Sequence, residues 1–255
     1  MTGLTNAVTF LTRVPLAARA EGSSNLARSI PWFPVVGAGI GAVIAVVFVL
    51  ASSILPAIVA AAIAVSVGVI LTGAFHEDGL ADVADAFAGA WTVERRLEIL
   101  KDPRLGTFGV VALSSSFLLR VGTISSLDGL AAMALIPAAH ALSRASGAAL
   151  MRRVPIAVEE GLGASFAASV TPTTEATTIV LGLSICALLI GLWSIPAGVL
   201  CAVVAFGIGR LARVKIDGIS GDVLGANQQI AEITILLLGA AVVHEDWGTL
   251  AWWSQ

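Results

Sequence analysis

Residues 35–55 read VVGAGIGAVIAVVFVLASSIL and contain no charged residue, and residues 56–75, PAIVAAAIAVSVGVILTGAF, continue without one. Each stretch has about the 20 apolar residues that a helix needs to cross a bilayer. A soluble domain can bury one helix of this kind, but burying several in succession is difficult. The chain is therefore predicted to be a helical membrane protein.

The rest of the chain extends this pattern. Hydrophobic residues make up 57% of the sequence and charged residues only 12%, and the mean hydropathy is +0.95. This composition predicts an all-α, polytopic membrane protein with about seven transmembrane helices and a single integral-membrane catalytic domain, 1–255. The five further predicted spans are 107–127, 130–150, 177–193, 196–213 and 231–243.

The basic residues predict the orientation of these helices. Under the seven-span interpretation the turns 53–56, 127–129 and 193–196 contain no Lys or Arg, and neither does the C-terminal tail. By the positive-inside rule the opposite side is cytoplasmic. We also expect the first 30 residues to lie along the membrane surface. The basic side carries Arg13, Arg19, Arg28, Arg95, Arg96, Lys101, Arg104, Arg152, Arg153 and Lys215, with Arg210 and Arg213 at a helix end, and the tail carries Trp247, Trp252 and Trp253.

An acidic stretch, HEDGLADVADAF (76–87), follows the second apolar segment on the basic side. Asp78, Asp82 and Asp85 have the spacing i, i+4 and i+7, which places them on one face of a helix. A solvated helix start would explain the first acids through the helix dipole, but not a stripe that extends over two turns. The stripe instead predicts a site for a hard divalent cation such as Mg²⁺ or Mn²⁺, with Glu77 as a further candidate ligand.

A basic loop, KDPRLGTFG (101–109), comes next. Asp102 precedes a proline and predicts a turn, while Gly106 and Gly109 flank a helix start whose backbone N–H groups could hold phosphate. Positive-inside placement alone would also explain basic residues here. A metal site beside phosphate-binding groups indicates phosphoryl transfer, and the basic residues near the acids in sequence are Arg95, Arg96, Lys101 and Arg104.

A third polar segment, DGISGDVLGANQQIAE (217–232), precedes the last predicted span. Its candidates for ligands or base-edge contacts are Asp222, Asn227, Gln228, Gln229 and Glu232. Arg120 and Arg144 lie in apolar surroundings, so we expect each to face an internal partner. Cys186 and Cys201 fall inside predicted spans, where packing is a more common role than a disulfide or metal ligation.

Five motifs resemble those of one family. FLTRVP (10–15), WFPVVGAGIG (32–41), FHEDGLADVADAF (75–87), KDPRLGTFGV (101–110) and SGDVLGA (220–226) are similar, in this order, to the cobalamin synthases. These enzymes are adenosylcobinamide-GDP ribazoletransferases. The resemblance covers most of the chain, and its H-x-D-G-L-A-D-x-x-D core is specific. Position 77, here glutamate, is often apolar in the family.

The resemblance implies a Mg²⁺-dependent reaction in which the 5′-hydroxyl of α-ribazole, or its 5′-phosphate form, attacks adenosylcobinamide-GDP at the cobinamide-bound phosphorus. GMP leaves, and adenosylcobalamin or its phosphate is formed late in nucleotide loop assembly. The implied partners are these two substrates and the lipid bilayer, with no nucleic acid, and a homo-oligomer is left open. The implied location is the bacterial cytoplasmic membrane, with the active site facing the cytoplasm.

Residue roles follow from the same resemblance. Asp78, Asp82 and Asp85 would hold the metal, and one of them would accept the hydroxyl proton. Basic residues of the following segment would neutralise the GMP leaving group, and polar residues of the third segment would contact guanine or ribose. The implied substrate-binding residues are Arg95, Lys101, Asp102, Arg104, Asp222, Asn227 and Gln228, and Glu77 is an additional metal candidate.

Two other classes compete with this interpretation. CDP-alcohol phosphotransferases also use an Asp-rich motif at a membrane helix and release a nucleoside monophosphate. Their motif continues Asp-Gly with Ala-Arg, whereas Leu80 and Ala81 follow Gly79 here. A cation or metabolite transporter would use the acidic stripe as an ion site. The position of the stripe at the end of an apolar segment, next to a phosphate-type loop, argues against that class.

Overall fold

A computed structural model describes residues 3–14, 27–157 and 162–252. Trp253 and most of the predicted surface segment, residues 15–26, lie outside this part of the chain. Within it the only bridge between extended residues is an isolated parallel one, Ile156 to Ile219. The α-helices are α1 (Gly3–Leu11), α2 (Phe33–Ser52), α3 (Ala57–Thr72), α4 (Phe75–Gly89), α5 (Val93–Ile99), α6 (Thr107–Ser125), α7 (Gly129–Arg153), α8 (Leu162–Ser169), α9 (Pro172–Ile190), α10 (Ser194–Ile216) and α11 (Gly221–His244), with 3₁₀ turns at Ile30–Trp32 and Gly191–Trp193.

The helices confirm a polytopic helical membrane protein. Within the described ranges four helical segments are long and apolar enough to cross a membrane, or five if α3 and α4 form one bent span. The predicted number of about seven is not confirmed, because α3 has only 16 residues, α7 carries His140 and Arg144, and the spans predicted at 177–193 and 196–213 fall within one helical segment, Pro172–Ile216. The four segments are Ala27–Ser52, Thr107–Ser125, Pro172–Ile216 and Gly221–His244.

Large apolar side chains cover the outer faces of the helices. On α10, for example, Phe206 is 73% exposed, and Val199 and Val203 are exposed one or two turns before it. A soluble surface rarely presents contiguous apolar area of this extent, whereas a lipid-facing surface must be apolar. These side chains therefore mark the faces of the bundle that contact lipid.

Helix α7 lies at the centre of the bundle. Of its 25 residues 19 are buried, and α2, α9, α10 and α11 all pack against it. Asp128 caps its start by accepting a hydrogen bond from the backbone N–H of Ala131, at 2.8 Å. Because His140, Ser143, Arg144 and Ser146 on this helix are buried, any site that they form lies inside the bundle.

A sharp bend separates α3 from α4. The two helix axes differ by 92°, and the intervening Gly73 and Ala74 have φ values of +68° and +59°. Glycine adopts this left-handed conformation without steric strain, whereas alanine does so rarely. The turn ends the apolar helix and starts the acidic helix α4 in a new direction.

Basic residues and tryptophans lie at opposite ends of α10. Near its C-terminal end, Lys215 donates to the Phe87 carbonyl at 3.1 Å, and Arg96 donates to the Lys215 carbonyl at 3.0 Å. At its start, Trp193 stacks on Trp247 with ring centroids 6.5 Å apart. The 23 residues of this helix separate the two groups by about 34 Å. This separation agrees with the one-sided charge pattern of the sequence.

Candidate active site

A cavity of about 340 Å³ opens between α1, α2, α4, α7, α8 and α11. It brings together side chains from all three polar segments of the sequence, which are far apart along the chain. Its wall also includes four phenylalanines, Phe10, Phe33, Phe75 and Phe166. The polar lining residues are His76, Asp78, Lys101, Ser143, Arg144, Ser220, Asp222 and Gln228.

Helices α4 and α11 cross in direct contact beside this cavity. A Cβ atom at Gly79 would lie 2.8 Å from the carbonyl oxygen of Asp222, so only glycine fits. This crossing places Asp78 and Asp222 on the same cavity wall. The charges of Asp78, Asp222 and Asp85 all act on Asp82. The predicted acidic stripe is therefore joined by a carboxylate from a different helix.

Asp85, at the far end of the stripe, holds the start of α6. Its two carboxylate oxygens accept hydrogen bonds from the backbone N–H groups of Gly106, at 2.7 Å, and Gly109, at 2.9 Å. The sequence suggested these N–H groups for a phosphate; in the structure a carboxylate occupies them. A carboxylate at a helix N-terminus satisfies free N–H groups and interacts favourably with the helix dipole.

The basic loop contributes one cation to the cavity. Lys101 lines it, whereas the Arg104 side chain is 83% exposed and pairs with Asp102 at 2.6 Å. Hydrogen bonds from Arg104 lower the pKa of Asp102 to about 2, so this carboxylate is ionised at neutral pH. Arg95 is exposed and pairs with Glu98 at 2.7 Å. The structure therefore does not bring Arg95 or Arg104 to the cavity wall.

A buried ion-pair cluster lies behind the cavity. Arg120 donates to Glu77 at 3.0 Å and lies 3.7 Å from Glu232. Arg144 is also 3.7 Å from Glu232, and His140 is 3.2 Å from it. The expectation that Arg120 and Arg144 face internal partners is confirmed. Glu77 belongs to this cluster and does not line the cavity.

Arg144 connects the buried cluster to the cavity. Its guanidinium is bonded to His140 through Nη1 at 3.0 Å, yet its Nε is buried with no hydrogen-bond partner. The same side chain lines the cavity that holds Asp78 and Asp222. An unsatisfied buried donor of a charged group is costly, and here it belongs to a side chain that also lines the cavity.

The amide side chains of α11 divide between two environments. Gln228 lines the cavity and donates to Glu232 at 2.6 Å. Asn227 is fully buried and donates to Ser146 on α7 at 2.8 Å. Of the two predicted base-contacting amides, only Gln228 reaches the cavity.

Comparisons with known proteins decide the family. A sequence model described as cobalamin-5-phosphate synthase matches residues 3–240. The chain belongs to the cobalamin-5-phosphate synthase family. This confirms the resemblance carried by the five motifs.

Relatives within the family match over nearly their full length. A Rhizobium etli protein is 41% identical over 90% of this chain and 93% of its own. A Shewanella frigidimarina protein is 36% identical over 92% of this chain and 93% of its own. A Ralstonia nicotianae protein is 35% identical over 98% of this chain and 95% of its own. All three are named adenosylcobinamide-GDP ribazoletransferase. No solved structure matches the chain.

Two features of this cobalamin-5-phosphate synthase family member were missed among the candidate site residues. Arg144 could have been found, because an arginine in an apolar helix needs a specific partner. The four phenylalanines gave no local signal, since they come from α1, α2, α4 and α8 and meet only after folding. Their shared position is a property of the tertiary structure.

Proposed function

We propose that the chain transfers the adenosylcobinamide phosphate group from adenosylcobinamide-GDP to α-ribazole or α-ribazole 5′-phosphate, and releases GMP. The observation that carries this proposal is one cavity, in a cobalamin-5-phosphate synthase family member, lined by Asp78, Asp222, Lys101 and Arg144. Carboxylates and cations around one cavity are the groups that phosphoryl transfer requires.

The attacking oxygen differs from the one first expected. A family described as cobalamin-5-phosphate synthase forms a product that keeps a 5′-phosphate. An acceptor that already carries phosphate on its 5′-oxygen has no free 5′-hydroxyl. We therefore propose a secondary ribose hydroxyl, which α-ribazole and its 5′-phosphate share, in place of the 5′-hydroxyl.

In this reaction a ribose oxygen attacks the cobinamide-bound phosphorus. A new phosphorus–oxygen bond forms, and the bond from that phosphorus to the oxygen of GMP breaks. The hydroxyl proton passes to one of the two carboxylates that line the cavity, Asp78 or Asp222. Lys101 and Arg144 offset the charge of the diphosphate and of the departing GMP.

The carboxylates also fit a Mg²⁺ ion. Among the described residues no group of three or more His, Cys, Asp or Glu side chains is arranged to hold a metal by itself. Mg²⁺ is often held by one or two carboxylates together with substrate phosphates, and we assign this role to Asp78 and Asp222, with Asp82 beside them. Bound Mg²⁺ would polarise the phosphoryl oxygens and orient the diphosphate.

The other sequence-based assignments remain predictions. Glu77 and Asp85 would be metal ligands only if their present contacts with Arg120 and with the α6 backbone were exchanged. To bind the diphosphate, Arg95 would have to break its ion pair with Glu98, and Arg104 its ion pair with Asp102. Because Arg104 is exposed and three residues from Lys101, it is the better placed of the two to reach a substrate at the cavity mouth.

We further propose that the basic end of the bundle faces the cytoplasm of a bacterial cell. The cavity lies at that end, since Lys101 lines it and Ser220 follows the basic end of α10. Nucleotide substrates are cytoplasmic metabolites, so this orientation would give them access without transport.

The direct test is GMP release. Membranes containing the chain would be incubated with adenosylcobinamide-GDP, α-ribazole and Mg²⁺, and GMP and the corrinoid product would be quantified. We expect release that requires all three additions and that is lost in Asp78→Asn. Asp217→Asn, an exposed acid at the same end, is the matched control. No GMP release by fully inserted protein would contradict the proposal.

A further inference from the structure

The cavity wall contains a continuous aromatic surface, here called the phenylalanine wall: Phe10, Phe33, Phe75 and Phe166. Phe10 is at its centre. Its ring centroid lies 5.7 Å from Phe33 in a stacked arrangement, 5.2 Å from Phe75 edge-on, and 4.4 Å from Phe166 at a tilt of 49°. These distances are typical of interacting aromatic pairs.

The wall does not serve packing alone. Phe33 and Phe166 are buried, but Phe75 is 44% exposed although it lines the cavity. Phe75 therefore combines a place in the cavity lining with accessible surface. Phe75 also stands three residues before Asp78 on α4, which is about 4.5 Å along the helix axis and on the same side of it.

The volume of the cavity indicates which part of the substrates can enter it. A cavity of about 340 Å³ is near the lower end of the 300–1,000 Å³ range of small-molecule sites. It has room for a nucleoside, but not for a corrin macrocycle with its side chains. The corrin ring of the donor must therefore stay outside, and the interior can hold one nucleoside. A face made of phenylalanines offers no hydrogen-bond partner to the polar edge of guanine, which favours the base of the acceptor over that of the donor.

We propose that the phenylalanine wall is the binding subsite for the flat aromatic base of the acceptor nucleoside. The inference rests on the proposed function, because that reaction supplies a nucleoside acceptor. Aromatic side chains bind flat bases by stacking, and this interaction does not depend on the identity of the base. With its base against Phe75, the acceptor directs its ribose toward Asp78, one of the two carboxylates that can take the hydroxyl proton.

The first experiment compares Phe75→Leu with Phe75→Trp. Leucine keeps apolar volume but removes the ring, whereas tryptophan keeps an aromatic face. We expect Phe75→Leu to raise KM for α-ribazole by about tenfold and to change KM for adenosylcobinamide-GDP by less than twofold. Phe75→Trp, which keeps a stacking face, should raise the KM for α-ribazole less than Phe75→Leu does. Phe206→Leu removes an exposed ring that faces lipid on α10 and is the matched control.

A binding measurement separates this inference from the proposed function. Purified protein would be titrated with α-ribazole alone and with benzimidazole, which is a base without ribose. We expect both ligands to bind the wild type and Phe206→Leu, and to bind Phe75→Leu about tenfold more weakly. Equal binding to all three proteins would overturn the subsite, whether or not GMP release is observed.

The KM values also discriminate between the possible roles of the phenylalanine wall. A KM increase for adenosylcobinamide-GDP alone would assign the wall to the donor and overturn the proposal. An equal rise in both KM values, with lower thermal stability, would show that the wall only supports the cavity, and would also overturn it. Weaker benzimidazole binding by Phe75→Leu in a protein without transferase activity would contradict the proposed function while supporting an aromatic-base subsite.

Discussion

Gly79 of α4 lies directly against Asp222 of α11. A Cβ at position 79 would be 2.8 Å from the Asp222 carbonyl oxygen and 2.9 Å from its Cα. Both neighbouring atoms belong to the backbone, so neither can rotate away. This one contact sets the distance between the acidic helix and the carboxylate that joins it from the last helix.

Gly79→Ala should therefore damage the site without preventing membrane insertion. The added methyl group must separate α4 from α11, and overpacking of this kind typically reduces stability by about 1–3 kcal/mol. We expect GMP release per inserted molecule to fall at least tenfold. Gly122→Ala on α6 is the control, because a Cβ there would meet no atom within 4 Å. Equal rates for the two variants would show that the crossing does not position the carboxylates.

Asp78→Asn and Asp222→Asn should each lower kcat/KM by at least about 100-fold, which corresponds to about 2.7 kcal/mol of barrier. An amide is a poorer Mg²⁺ ligand than a carboxylate. The apparent Mg²⁺ concentration for half-maximal rate should rise in both variants, and a chelator should abolish wild-type turnover until Mg²⁺ is restored. An unchanged Mg²⁺ titration in both variants would remove these residues from the metal site.

Asp85→Asn distinguishes a metal ligand from a residue that positions α6. An amide oxygen can accept from only one of the Gly106 and Gly109 N–H groups, while its NH₂ faces the other donor. We expect a loss of about 1–3 kcal/mol of stability, measured as a melting temperature several degrees lower. The Mg²⁺ titration should be unchanged. A shifted titration at unchanged stability would instead support the metal role.

Asp128→Asn is the matched control for that measurement. Asp128 also accepts a backbone N–H at a helix start, from Ala131. Asparagine is as good as aspartate at this N-cap position, so the melting temperature should change little.

Arg144→Lys should lower kcat/KM at least tenfold, about 1.4 kcal/mol of barrier. The substitution keeps the positive charge, but an ammonium cannot bond His140 and also present the fork of donors that a guanidinium presents to a phosphate. Arg210→Lys, at an exposed position on α10, should leave turnover and melting temperature unchanged. Turnover and melting temperature would be measured together, since a parallel loss in both would mean that Arg144 only holds the buried cluster.

Cysteine labelling tests the orientation. Trp91 at the basic end is 92% exposed and Trp247 near the C terminus is 60% exposed. The native Cys186 and Cys201 are buried, so background labelling should be low. We expect an impermeant thiol reagent added to intact cells to label Trp247→Cys, and to label Trp91→Cys only after the cells are opened. Labelling of both positions in intact cells would contradict the topology.

The residues alone indicate that this chain is embedded in a membrane, and they predict the order of its helices and polar segments. Uncharged runs such as residues 35–55 must be surrounded by lipid or by other apolar helices. The spacing of Asp78, Asp82 and Asp85 places these side chains on one face of a helix. The motifs also fixed the family. All of these are properties of residues within a few turns of one another, where helical geometry leaves little freedom.

The tertiary structure decided which helix each of these residues faces. It placed Glu77 against Arg120 and Asp85 against the start of α6, although both are neighbours of Asp78 in sequence. It also brought Arg144 and the phenylalanine wall to the cavity. Helical periodicity defines the faces of a helix, but not the partner of each face. That choice depends on bends such as the one at Gly73 and on contacts as close as Gly79 to Asp222, which only the packing of the whole bundle establishes.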